Sequence, residues 1–372
     1  MSATQRDPVL KSLLRKALRA TLLLQAAASM PSAGGRGTVP RVYYGGARPG
    51  NVGGPLVKVK RLQEYFPQHR WTYNTVYLLS NAPYLPRLAL ALMKARGIPM
   101  VLNQNGVFYP GWYAGDWRHQ NAIMGEAYHL ADYVFWQSEF CRRAANRFLG
   151  ERSGPGEVLF NALDVQRFTP APVRREGGSI RFLLTGKIGV HLAYRLESTI
   201  AGLAHARKAG LDANLTVSGW VAREAQAAAR AKARTLGLPD EFLTFTGAYT
   251  QEQAPEIYRS ADIYMMTKYL DPCPNTVLEA MACGLPIVYS ASGGVPELVG
   301  PDAGIGIGVP EEWDRIHEPD PAALGDAMLA AATARGPMGQ AARARAEQWF
   351  DIRQWTGRHQ AVFEALLEQR SR

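Results

Sequence analysis

A chain of 372 residues, 47% apolar and 20% charged, has material for two domains with a core each. Its formal net charge is +10, and half of that excess lies in residues 1–40, where Arg6, Lys11, Arg15, Lys16, Arg19 and Arg36 face Asp7 alone. Cys141, Cys273 and Cys283 form no CxxC pair and no even framework, the seven histidines are scattered, and no apolar run reaches the roughly 18 residues of a membrane span, so a disulfide scaffold, a sequence-local metal site and a transmembrane helix all drop out.

Residues 7–25 predict a helix. Asp7 can cap it and Pro8 suits its first position. Leu10, Leu14, Leu18 and Leu22 repeat every four residues, with Lys11, Arg15 and Arg19 beside them. Two readings stand. The helix lies on an anionic membrane surface, or it packs on its own domain with the cations solvated. A signal peptide ending near Ala28-Ser29-Met30 fits less well, because the cations are spread along the helix and Gln25 interrupts the apolar part. The arm lacks the aromatic interleaving of a nucleic-acid binder. Residues 31–40, rich in Pro, Ser and Gly, predict a linker.

From residue 41 a strand–loop–helix pattern repeats. Strands are expected at 42–44, 75–79, 99–102, 133–137 and 157–160, with helices near 56–65, 87–96 and 140–149. The pattern then restarts. Strands are expected at 180–185, 213–218, 242–246, 263–266 and 286–290, with helices near 195–208, 223–236, 254–259, 276–282 and 321–334. Alternation of this kind implies two successive doubly wound, Rossmann-like α/β domains facing a cleft, with an extra N-terminal helix. The expected divisions are 1–40, 41–170, 171–350 and a closing helical segment 351–372, with the domain boundary near 168–178. Ligands of such sheets bind beyond the carboxyl ends of the strands, here between the domains.

The most informative stretch is 258–299. A buried strand at 263–266 feeds a loop that holds Asp271, and Asn275 or Thr276 can cap the helix after it. Gly284 and Pro286 end that helix. A helix N-terminus delivered to the mouth of a parallel sheet is an anion site, so the amides of Thr276, Val277 and Leu278 are expected to cradle a phosphate. Asp271 and Glu279 flank it. A carboxylate beside a phosphate is repulsive unless it has another task, and accepting hydrogen bonds from sugar or ribose hydroxyls is such a task.

The stretch Asp271, PCPNTVL, Glu279, then Ala280-Met281-Ala282-Cys283-Gly284-Leu285-Pro286, resembles the signature of family 4-type retaining GT-B glycosyltransferases, also termed group 1. The match runs on through Gly293-Gly294-Val295-Pro296-Glu297. Asn161-Ala162-Leu163-Asp164 with Phe168, Phe245-Thr246-Gly247 and Ser260-Ala261-Asp262 fall in the family's order. The resemblance is strong over about 155–300, weaker over 41–154, and absent before 41.

The resemblance implies a GT-B fold whose C-terminal helix, within 351–372, returns to the N-domain, and a nucleoside diphosphate sugar as substrate, with no cofactor and no metal. It implies that Glu279 holds the ribose and that Asp271, where the family usually has glutamate, holds the donor sugar. Lys187 stands at the family's arginine. The lysine expected five positions later is Leu192, so Arg195 becomes the candidate second cation for the diphosphate, with His191 between them. Gly53 and Gly54 lie where the family has a loop closing over the donor phosphates. Asn105 lies where it often has a histidine near the sugar. Tyr249 is a candidate for stacking on the base, and Trp112 for the acceptor lip. A core role explains both aromatics equally well.

These implications make up the expected function: retaining transfer of a hexose to a hydroxyl acceptor, a cell-surface or lipid-linked glycan. The expected place is the cytoplasm, with the basic helix on the inner membrane surface. Two rivals share the fold: a non-catalytic glycan- or partner-binding protein, and a nucleotide-sugar epimerase.

Overall fold

The computed structural model describes residues 8–28, 39–50, 54–80, 85–173 and 177–371. After α1 (Pro8–Ala28) come β1 (Val42–Tyr43), α2 (Gly54–Tyr65), β2 (Thr75–Leu79), α3 (Arg87–Ala95), β3 (Met100–Gln104), α4 (Trp117–Leu130), β4 (Tyr133–Trp136), α5 (Glu139–Leu149) and β5 (Gly156–Val158). The second half runs β6 (Ile180–Thr185), α6 (Tyr194–Lys208), β7 (Ala213–Ser218), α7 (Arg223–Thr235), β8 (Leu243–Gly247), α8 (Ala254–Arg259), β9 (Ile263–Met266), α9 (Asn275–Ala282), β10 (Ile287–Ala291), α10 (Val295–Val299) and β11 (Gly304–Gly308). Two helices close the chain, α11 (Pro321–Trp349) and α12 (Ile352–Ser371).

The strands form two parallel sheets, ordered β1-β2-β3-β4-β5 and β11-β10-β9-β6-β7-β8. In the second sheet the winding reverses between β6 and β9, which pair directly through Phe182 and Ile263. The crevice outside the carboxyl ends of these two strands is where an open α/β sheet receives its ligand. The loops that leave them carry Lys187 and Asp271. In the first sheet Val42 pairs with Thr75 on one side and bridges Gln68 on the other, so its winding turns at β1.

Both faces of each sheet are covered, as parallel strands require. Phe182 and Leu184 of β6 enter one apolar cluster with α6, α7 and α11; Leu183, between them, enters a second with α8, α9 and α10. On the first sheet, Leu90, Met93, Tyr128 and Cys141 lie in one cluster, and Val59, Leu62, Trp355 and Phe363 in another. The chain therefore returns through α12 to pack on the first sheet. The Tyr77 hydroxyl lies 3.0 Å from His359 Nε2 in that layer.

Sequence patterning missed the short helix α10 and misjudged three other elements. Helix α4 was not expected, because Asn, Gly and His dilute its apolar period; Asp116 caps it by accepting from the His119 amide. Strand β11 reads Gly-Ile-Gly-Ile-Gly, and glycine weakens the strand signal. Helix α11 was expected to stop near 334, yet it continues past Pro337, because Ala342 and Ala346 bury against the α9 layer.

The last turns of α1 pack on their own domain. Leu22 and Ala26 join the Leu90–Met93 cluster, and buried Gln25, which looked like an interruption, accepts from the Tyr43 hydroxyl at 2.8 Å. Lys16, Leu18, Arg19 and Leu24 remain exposed. Gly53, the 31–38 linker and the side chains of Leu10, Lys11, Leu14 and Arg15 lie outside the described residues. No helix among the described residues is long and apolar enough to cross a membrane.

Candidate active site

A cleft of about 1170 Å³ opens between the two sheets. Its C-terminal wall is built from the loops after β6 and β9 and the tip of α9. Its N-terminal wall comes from α2 and the loop after β3. Asp271, Glu279, Asn275, Thr276, Lys187, Arg195, Tyr249, Asn105 and Trp112 all line it. Nine residues scattered between positions 105 and 279 thus meet at one surface.

The Asp271 loop is held by the turn after β10. Leu270 adopts φ 49°, a left-handed conformation costly for a leucine, and its amide donates to Ser292 Oγ at 3.1 Å. A Cβ on Gly293 would lie 2.6 Å from the Asp271 carbonyl, and one on Gly294 would lie 2.0 Å from the Pro272 carbonyl. The paired glycines are therefore needed for the loop to lie flat on the turn, and the Gly294 amide donates to the Asp271 carbonyl at 2.9 Å. So anchored, the Asp271 carboxylate accepts from the Cys273 amide at 3.2 Å and pairs with Lys268 Nζ at 2.7 Å.

Glu279 lies one turn into α9. It accepts from the Tyr258 hydroxyl at 2.9 Å and faces Arg61 of α2 at 3.8 Å across the cleft. Burial pushes its carboxyl pKa up, while Arg61 and Tyr258 pull it down. Burial and the Glu279 charge together push the Tyr249 phenol up to about 12.

Arg195 is 4% exposed. Among the described residues its guanidinium donates to the Thr185 carbonyl at 3.3 Å, its Nε has no partner, and it pairs with no carboxylate. Lys187 is exposed, with Nζ 5.4 Å from the centre of the Trp220 ring. Two cations therefore stand after β6, one buried and one solvated, without acidic partners among the described residues.

The tip of α9 differs from expectation. Pro274, not Asn275 or Thr276, is the N-cap residue, and no side chain caps the helix. Val277 is corrected as a site residue: it is fully buried in the core, and its amide donates to the Pro274 carbonyl at 3.0 Å. Proline supplies no side-chain oxygen, so the backbone closes the first turn and consumes that donor. Asn275 Oδ1 is buried with no partner beside the cleft. Gly54 opens α2.

Trp112 stands at the rim, 45% exposed, stacked on Phe108 at 5.2 Å, with its indole N–H on the Val107 carbonyl. Sequence reasoning missed Lys58 and Arg61, one turn apart on α2. A lysine and an arginine there resemble an ordinary solvated face, yet Lys58 is 6% exposed. Lys268 and Glu297 were missed as well.

The cleft is closed by contacts between its two walls. Glu297 of α10 accepts from the Glu139 and Phe140 amides, at 2.6 and 2.7 Å, at the start of α5. The Trp313 ring stacks on Phe140 and meets Tyr109 edge-on. A carboxylate on a helix N-terminus is a charge-assisted contact with the helix dipole. Glu297→Gln keeps the shape but removes the charge and one acceptor, so it is expected to lower stability by about 1–2 kcal/mol and to widen the particle in small-angle scattering. An unchanged melting point and scattering profile would show that the clasp does not hold the walls together.

Residues 179–333 match the family described as glycosyl transferases group 1. These residues, which hold the whole second sheet, are similar to a group 1 glycosyltransferase domain. The D-inositol 3-phosphate glycosyltransferase of Mycobacteroides abscessus is 39% identical over 88 residues, covering 22% of this chain and 19% of that protein. Glycogen synthase of Mycobacterium tuberculosis is 26% identical over 231 residues, covering 57% of this chain and 51% of that protein. The chain thus spans about half or less of these relatives' own length. The structure of HepE from Anabaena in complex with UDP-glucose superposes with a TM-score of 0.60 at 16% identity, over 84% of this chain and 82% of that chain. That likeness establishes the fold: two facing Rossmann-like domains in the GT-B arrangement.

Proposed function

We propose that the group 1 domain and its partner domain form a retaining glycosyltransferase that moves a hexose from a nucleoside diphosphate sugar to a hydroxyl acceptor. The observation that carries this is Arg195, a buried guanidinium with no carboxylate partner among the described residues, lining the same cleft as the tip of α9. A buried cation is costly unless an anion meets it, and a diphosphate is such an anion.

In this proposal the diphosphate lies between Arg195, Lys187 and the Thr276 end of α9, and needs no metal. Glu279 accepts from the ribose hydroxyls and Asp271 from those of the sugar. Gly54, which opens α2, and Gly53 before it are assigned to a loop that closes over the phosphates. The bond from the anomeric carbon to the phosphate oxygen breaks as the acceptor oxygen bonds to the same face. The acceptor's proton passes to the departing phosphate, whose growing charge Arg195 and Lys187 stabilise. Tyr249 borders the base and Trp112 the acceptor. The acceptor is a cell-surface or lipid-linked glycan presented at the cytoplasmic membrane surface, where exposed Lys16 and Arg19 meet anionic headgroups.

A second reading draws on the Lys268–Asp271 ion pair: the acid is already neutralised, and the cleft binds a glycan or partner without turnover. A thermal-shift screen with UDP, GDP and ADP sugars tests the donor site. One nucleotide class is expected to raise the melting point. Glu279→Ala is expected to weaken its binding about tenfold, or 1.4 kcal/mol. No shift with any of them rejects the donor site; a shift without hydrolysis or transfer favours the second reading.

A further inference from the structure

We propose that Lys58 is a further substrate-contacting residue of this cleft: its ammonium, delivered by α2 to the tip of β3, donates a hydrogen bond to a hydroxyl of the transferred sugar opposite Asp271. This rests on the donor-site proposal above and adds a group that no sequence signature assigns.

Lys58 Nζ reaches Asn103 Oδ1 at 2.5 Å and Asn105 Oδ1 at 3.1 Å. An ammonium has three donors, and among the described residues these two amide oxygens are its acceptors. No carboxylate pairs with it there, and it lines the cleft. Burying such an amine is expensive, and neutral amides offset only part of that cost. A core position would be filled better by leucine or methionine, so the site points to a ligand.

The amine is tied to the Asp271 loop by a continuous polar chain. Gln137 Nε2 donates to Asn105 Oδ1, and Gln137 Oε1 accepts from Asn161 Nδ2 at 3.2 Å. Asn161 Nδ2 also reaches the Cys273 carbonyl at 3.0 Å, and the Cys273 amide reaches Asp271 Oδ1. The Gly106 position packs against Pro272, with an added Cβ only 3.4 Å from its ring. Lys58 and Asp271 therefore approach one end of the cleft from opposite walls. Asn105 at the strand tip carries no charge, and α2 supplies the cation from another part of the chain.

The groups around Lys58 leave it as the one that titrates near neutrality. Burial pushes its pKa down to about 7. Cys141 of α5 and Cys273 are pushed up to about 12, so both stay thiols. His359 of α12 is pushed down to about 3 by burial and stays neutral. Arg61, one turn along α2, is paired with Glu279 and adds to the pressure on the Lys58 proton. The ammonium is the donating form, so kcat/KM for the donor is expected to fall as pH rises through about 7.

The test compares wild type, Lys58→Met and Lys58→Arg, using UDP-glucose, GDP-mannose and ADP-glucose against UDP, GDP and ADP. Lys58→Met is expected to lose at least tenfold in turnover and the pH-dependent limb. It should also lose the extra thermal shift that the nucleotide sugar gives over the bare diphosphate. Its affinity for the diphosphate itself should stay within twofold. Lys58→Arg should recover part of the turnover without the limb. Wild-type turnover in Lys58→Met overturns the role, as does equal loss of diphosphate and sugar binding. A wild-type protein that binds no nucleotide overturns the donor site and Lys58 with it, and is told apart by that result alone.

Discussion

Replacing Arg195 by methionine is expected to raise the Kd for nucleoside diphosphates by 30-fold or more while leaving the ligand-free protein at least as stable as wild type. The two effects have opposite signs for one reason. In the ligand-free protein the guanidinium is buried with a single carbonyl contact and an unpartnered Nε. Replacing such a group by an apolar side chain of similar length removes a desolvation cost, so melting should not fall. In the complex the same group meets the diphosphate, and removing one side of a buried charge contact costs roughly 2–5 kcal/mol. Isothermal titration and differential scanning calorimetry on the two proteins check this. A lower melting point with unchanged affinity would make Arg195 a structural residue and remove the main support for the donor site. Arg195→Lys should fall between the two, since a lysine lacks the planar fork.

Asp271→Asn is expected to lower turnover by about 10²–10³, the range for losing one charge-stabilising contact in a transition state, with nucleotide affinity within threefold. Asparagine keeps the shape and the oxygen that accepts from the Cys273 amide, so the loop on Gly293 and Gly294 should stay in place. The Lys268 partner is more than a third exposed, so its loss should change stability little. Single-turnover transfer and nucleotide titration separate the two quantities. Wild-type turnover in Asp271→Asn would remove Asp271 from the catalytic machinery, whereas a wild-type protein that binds nucleotide but shows no turnover would favour the non-catalytic reading.

Much of the cleft was legible because its parts are local. The segment from Asp271 to Gly294 holds a loop, a helix tip and a turn in sequence order, and each residue type has a short-range reason to be there. Arg195 could be named from its distance after a strand end, but not its burial. Lys58 was invisible: a lysine inside an amphipathic helix is normally solvated, and only the β3 tip, whose Asn103 and Asn105 it contacts, makes it a buried amine. Val277 was misread because an ordinary capping residue was assumed, whereas Pro274 supplies no side-chain acceptor and the backbone closes the turn itself.

By itself the sequence determined the alternation of strands and helices, the two-sheet plan, the Asp271–Glu279 spacing and the concentration of charge at the N-terminus. These follow from periodicity, capping and composition, which act over a few residues at a time. Only the tertiary structure decided that Lys58 and Arg61 face the cleft, that Glu297 clasps α5 and that α11 runs past Pro337. Those outcomes depend on which surfaces are buried against each other, and burial between residues far apart in the chain leaves no local pattern to read.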